Sequence, residues 1–145
     1  MTEEEREKHL FALDEELLKG SVMFSAWCHF MILESDAAFI AGTHLAAILT
    51  AVSAIETHLR FEYSQPGDKL RLAQLIDASD LPLDLKRDLH EVRRYRNRWV
   101  HVSDPWDESL VRHMEDPVEL QAEIEPIALL AVTALRRTFY WNQGT

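Results

Sequence analysis

Apolar residues recur three and four positions apart along most of this chain, the spacing of one face of an α-helix, and no pair of stretches reads as strands. Leu10, Leu13, Leu17 and Leu18 mark such a stripe in a first helix. Thr2 followed by Glu3, Glu4 and Glu5 starts it, because a side-chain oxygen caps free amides and carboxylates favour the positive end of the helix dipole. This helix is predicted to reach about Lys19, where Gly20-Ser21 breaks or bends it. The apolar block over residues 22–33 is then either its continuation past a slight kink or a helix of its own.

Ser35-Asp36 is predicted to cap a long Ala-rich helix running to about Tyr63, with Ser64, Gln65, Pro66 and Gly67 as the turn behind it. The two long helices would form an antiparallel pair. Leu70, Leu72, Leu75 and Ile76 give a short amphipathic helix over about 69–78, and Pro82 begins another, packed through Leu83, Leu85, Leu89, Val92 and Tyr95. Asp104-Pro105 stops it, since proline cannot continue the hydrogen-bond ladder. Asp116-Pro117 starts the last helix, whose buried side is Leu120, Ile124, Ile127, Leu130, Ala134 and Leu135, with a kink expected at Pro126. The expected fold is all-α: four or five helices in up-and-down order, one domain over residues 1–145.

Composition agrees with this reading. Hydrophobic residues are 47% and charged residues 28%, with only 4 Gly and 5 Pro, a balance that favours long helices over disorder. A chain of 145 residues buries one core. The lone Cys28 excludes an intrachain disulfide and a cysteine-built metal site, and without a signal-peptide pattern at the N-terminus the expected compartment is the cytoplasm. Residues 37–55 carry no charge over 19 positions, long enough for a membrane span. Their apolarity rests largely on Ala, however, and His44, Thr43, Thr50 and Ser53 interrupt it, so a buried helix and no membrane contact is expected.

Charge is unevenly spread. The formal net charge is −10, yet Lys86, Arg87, Arg93, Arg94, Arg96 and Arg98 stand against only Asp88 and Glu91 between Lys86 and His101. That stretch is locally +4 on a body of −14, an electropositive spot able to attract an anion where the whole chain would repel one.

Metal and nucleophile chemistry find no pattern to rest on. There is no His-Glu-x-x-His, no pair of Glu-x-x-His motifs, no Gly-rich phosphate loop and no Gly-x-Ser-x-Gly elbow. His44 and His58 would sit about 21 Å apart along one helix, too far to share an ion. What remains is the end of the helix after Pro82: Arg93, Arg94, Tyr95, Arg96, Asn97, Arg98, Trp99, Val100 and His101. Arginine clamps phosphate with two parallel hydrogen bonds, and an imidazole titrating near neutrality moves protons, so this set suits phosphodiester chemistry. The plainer alternative is that the basic residues offset the negative end of the helix and His101 caps its last carbonyls.

Arg96, Asn97, three further residues and His101 resemble the signature of HEPN domains, an Arg followed by a polar residue with His five to seven positions beyond the Arg. The likeness extends loosely over residues 36–140 and includes Ala54, Ile55, Glu56, Leu59 and Arg60. The resemblance implies a small helical bundle, commonly a homodimer, that cuts RNA without a metal or other cofactor, often as a toxin or defence effector. Carried over, Arg96 and His101 are catalytic, Asn97 fills the polar position, and Glu56 stands as a second-line acidic residue orienting the site. Arg93, Arg94 and Arg98 would hold flanking phosphates, and Trp99 and Trp106 either stack on bases or pack.

On an intact helix Asn97 and His101 lie about 40° apart but Arg96 and His101 about 140°, so they converge only if the helix loosens near Trp99 or if two subunits each supply one. The expected activity is a metal-independent endoribonuclease using RNA's own 2′-hydroxyl and leaving a 2′,3′-cyclic phosphate. The alternatives are a non-catalytic dimerisation or nucleotide-binding module beside a nucleotidyltransferase or antitoxin, and a small-molecule binding bundle lined by residues 37–61.

Overall fold

The computed structural model describes residues 1–102, 104–106 and 116–144, and among them six helices and no strand. The described residues form an all-helical fold, with one more helix among them than the most that hydrophobic spacing suggests. Helix α1 (Glu3–Leu17) opens with the capping arrangement expected of Thr2, whose Oγ1 accepts from the Glu5 amide at 3.1 Å while the Glu5 carboxylate accepts from the Thr2 amide at 2.6 Å. It stops at Leu17, and residues 18–25 leave the helix altogether. The apolar block over residues 22–33 is therefore not a continuation of α1: its first four residues are non-helical and the rest open a separate helix, α2 (Ala26–Ala41), capped by the Ser25 hydroxyl, which accepts from the Cys28 amide at 3.2 Å.

Ser35-Asp36 does not cap a helix, contrary to expectation. Ser35 lies within α2, fully buried, and its hydroxyl donates to the Ala47 carbonyl at 3.0 Å across the interface with α3 (His44–Tyr63). The break comes at Gly42, whose φ of 82° is the left-handed conformation glycine adopts freely. The uncharged run over residues 37–55 is thus folded over a tight turn into a helical hairpin. Among the described residues no helix is long and apolar enough to cross a membrane.

Helix α4 (Leu72–Ala78) is short. Helix α5 (Leu83–Val100) ends before Asp104-Pro105, and α6 (Pro117–Phe139) starts on Asp116, whose carboxylate accepts from the amides of Val118 and Glu119, and continues through Pro126. Helix α3 is central, packing on α2, α4, α5 and α6. It contributes Ala47, Ile48, Ala51, Val52, Ile55 and Leu59 to one apolar cluster, which Ala128, Ala131, Val132 and Leu135 of α6 and Leu85, Leu89 and Val92 of α5 complete. Arg136 of α6, only 3% exposed, reaches from this core to Asp14 of α1 and Asp36 of α2 at 2.9 and 2.7 Å. Those ion pairs fix three helices around one guanidinium, each of whose nitrogens is hydrogen-bonded.

Candidate functional site

Burying Leu85, Leu89 and Val92 fixes the rotation of α5. Arg93, Arg96 and Asn97 consequently face the ends of α3 and α4, where a cleft of about 460 Å³ opens. Glu56 and Arg60 line it from α3, Arg71 and Leu72 from the start of α4, and Arg93, Arg96, Asn97 and His101 from α5 and the residue that ends it. The walls hold four arginines against one carboxylate.

His101 reaches this cleft because α5 stops. It occupies the C-cap with φ −117° and ψ 58°, outside helical geometry, while its amide still donates to the Asn97 carbonyl at 2.9 Å. The angular separation of about 140° that an unbroken helix imposes on Arg96 and His101 no longer applies. Both side chains line the same cleft of one chain, and no second copy is needed to bring them there.

Each arginine is held differently. The Arg96 Nε donates to Asn97 Oδ1 at 2.9 Å, and the two terminal nitrogens of its guanidinium have no hydrogen-bond partner among the described residues. Arg60 Nη2 pairs with Glu56 at 3.2 Å and Nη1 donates to the Leu70 carbonyl at 2.8 Å, so Glu56 and the Leu70 backbone together hold Arg60 in the cleft wall. Arg93 Nε donates to His90 Nδ1 at 3.3 Å, which leaves the imidazole proton on Nε2, 2.8 Å from Asp77 Oδ1. The Arg93 guanidinium sits below its ordinary value, first because it is partly buried and then because Arg94, Arg96 and Arg71 crowd it with like charge, Asp77 opposing them. It is still a cation at neutral pH.

Other candidates fall outside the cleft. Arg94 and Arg98 are exposed on other faces of α5, Arg98 lying over the Tyr95 ring at 5.6 Å. Trp99 is partly buried against the core with its indole nitrogen unpartnered among the described residues, and Trp106 is 85% exposed. His44 and His58 are both buried, in separate surroundings. Among the described residues no group of three or more His, Cys, Asp or Glu side chains is placed to hold a metal ion.

Of the charged cleft residues, Arg71 is not named by the motif, and Arg60 is named in the pattern but given no role. Arg60 belongs to the Glu56 pattern and, four residues on, shares its helix face, a usable signal. Arg71 precedes α4 with nothing in its local sequence to mark it. The chain matches no family model, no curated protein and no solved structure.

Proposed function

We propose that this chain is a metal-independent endoribonuclease of the HEPN type, working as a homodimer, with the cleft between α3, α4 and α5 as its phosphodiester site. The observation that carries the reading is the placing of Arg96, Asn97 and His101 in one cleft with Arg60, Arg71 and Arg93. Arginine side chains there hold the scissile phosphate, and Arg96, steadied by Asn97, offsets the extra negative charge of the phosphorane. His101, exposed at the cleft edge, accepts the 2′-hydroxyl proton. The 2′-oxygen to phosphorus bond forms as the bond to the 5′-oxygen breaks, and water returns a proton to that oxygen. The products are a 2′,3′-cyclic phosphate and a 5′-hydroxyl.

Incubating the purified chain with RNA in excess chelator, beside Arg96→Ala and His101→Ala, tests this. The wild type is expected to cut and leave cyclic phosphate ends, and each variant to lose about a hundredfold or more in rate. Equal cleavage by all three sinks the assignment. A folded wild type that binds RNA without cutting it replaces the reading by the non-catalytic one, in which the same basic cleft meets a nucleotide or an acidic partner such as an antitoxin.

A further inference from the structure

A second groove adjoins the first. The end of α3 and the turn after it enclose about 560 Å³ lined by Thr57, Arg60, Phe61, Gln65, Pro66 and Asp68 among others, and Arg60 belongs to both hollows. Phe61 is 79% exposed on a helix that otherwise turns its large apolar side chains inward, so its ring offers a free face to the groove. Gly67, with φ 92°, lets the turn reverse sharply, and nothing stands within 4 Å of where its side chain would be, which keeps that end of the groove open. Gln65 is exposed, and its carboxamide both donates and accepts.

We infer that this groove is a nucleobase subsite: the base of a nucleotide flanking the scissile phosphate stacks on Phe61, with its edge towards Gln65. Arg60, fixed by Glu56 and the Leu70 carbonyl, bridges the two hollows and holds the intervening phosphate. The inference rests on the ribonuclease reading for the identity of the neighbouring cleft, and it names the substrate class. Base faces are free to stack on a protein ring only where the strand is unpaired, so the substrate is single-stranded RNA. Charge complementarity supports that occupant, because the groove, lined by Asp68 and by the Glu56-paired Arg60, opens past Arg60 onto Arg71, Arg93 and Arg96, and a polyanion meets these three where a neutral ligand would not.

The test uses the full chain and a single-stranded RNA made uncleavable by 2′-deoxy substitution, with affinity read by fluorescence anisotropy. Phe61→Ala is expected to weaken binding about tenfold and Phe61→Tyr to bind like wild type, while a duplex of the same sequence shows no dependence on Phe61. With cleavable RNA, Phe61→Ala raises KM and leaves kcat within about twofold. Phe61 is exposed, so thermal melting of Phe61→Ala should match wild type. Unchanged affinity of Phe61→Ala for the single strand overturns the subsite while leaving the ribonuclease reading standing. Absence of cleavage by wild type, with the Phe61 effect present, overturns the ribonuclease reading and leaves the subsite. No binding by any form overturns both.

Discussion

Arg96 and Asn97 are sequence neighbours whose side chains leave α5 about 100° apart, yet Arg96 Nε donates to Asn97 Oδ1 at 2.9 Å. The carboxamide occupies one donor of the guanidinium, and its terminal nitrogens have no hydrogen-bond partner among the described residues. On the proposed function Asn97 is therefore a positioning residue acting through Arg96.

Asn97→Ala is accordingly expected to lower kcat about tenfold with little change in KM, a smaller loss than Arg96→Ala causes, since a hydrogen bond to a charged group is worth about 1.5–3 kcal/mol. Asn97→Asp keeps the geometry but neutralises charge in the cleft, so it should raise KM instead. Single-turnover kinetics on one RNA separate the two, and an Asn97→Ala enzyme as fast as wild type would remove the positioning role.

Arg136 joins α1, α2 and α6 through Asp14 and Asp36, and Tyr140 donates to Asp14 at 2.7 Å. Its guanidinium is 3% exposed, whereas the Asp14 and Asp36 side chains are 39% and 19% exposed. Arg136→Met leaves the two carboxylates facing each other, but both still reach water, so the cost is expected near the lower end of the range for breaking a buried pair, about 3 kcal/mol. Urea unfolding reads it directly. A loss under about 1 kcal/mol would make the network a surface feature energetically.

Two buried imidazoles make stability depend on pH. Burial holds His44 below the usual histidine value, with Glu125, 3.3 Å away, opposing and Arg6 reinforcing the shift; burial likewise lowers His58, with Glu62 opposing. Lowered pKa values mean that the unfolded chain takes up protons first, so this stability is present above about pH 6.5 and drains away as pH falls through the folded-state values. The urea midpoint should drop between about pH 7.5 and 5.5, above the range where carboxylates titrate. His58→Phe, which keeps a ring against Phe139 where His58 now stacks at 4.3 Å, should flatten the slope. An equal slope in that variant would exclude His58 as a source.

The break between α2 and α3 is the element least legible in the sequence, and its reason is physical. Ser35-Asp36 carries the residue types of a helix cap, but Ser35 spends its hydroxyl on the Ala47 carbonyl and Asp36 its carboxylate on Arg136, partners supplied by tertiary packing. Gly42 alone marks the turn, inside a run whose lack of charge reads as continuous. The start of α1 was legible because Thr2 and Glu5 cap within one turn. Gly42→Ala tests the assignment: an added Cβ must adopt φ 82° and would lie 3.1 Å from Arg6 Nη2, whose Nε already donates to the Ile40 carbonyl. A loss of about 1–2 kcal/mol in thermal or urea unfolding is expected, and a stabilised variant would contradict the left-handed turn.

The same contrast between local and long-range signals separates the arginines. Arg94 sits within the motif segment, and proximity in sequence made it a phosphate-binding candidate; it lies outside the cleft, whereas Arg71, the extended residue that caps the start of α4, lines it. Each arginine that contacts a phosphate of a single strand contributes about 0.7 to the slope of log affinity against log salt. Arg71→Ala is thus expected to reduce that slope by about 0.7 and weaken RNA binding severalfold at moderate salt. Arg94→Ala removes the same formal charge from nearby and tests the competing idea that the general field of the basic stretch does the binding. Exposed and outside the cleft lining, it acts through water, where a Debye length of about 8 Å at physiological salt weakens it, so its slope should change by less than that of Arg71→Ala. Equal effects from the two variants would mean that RNA follows the outer face of α5, and the cleft would lose its role as the binding site.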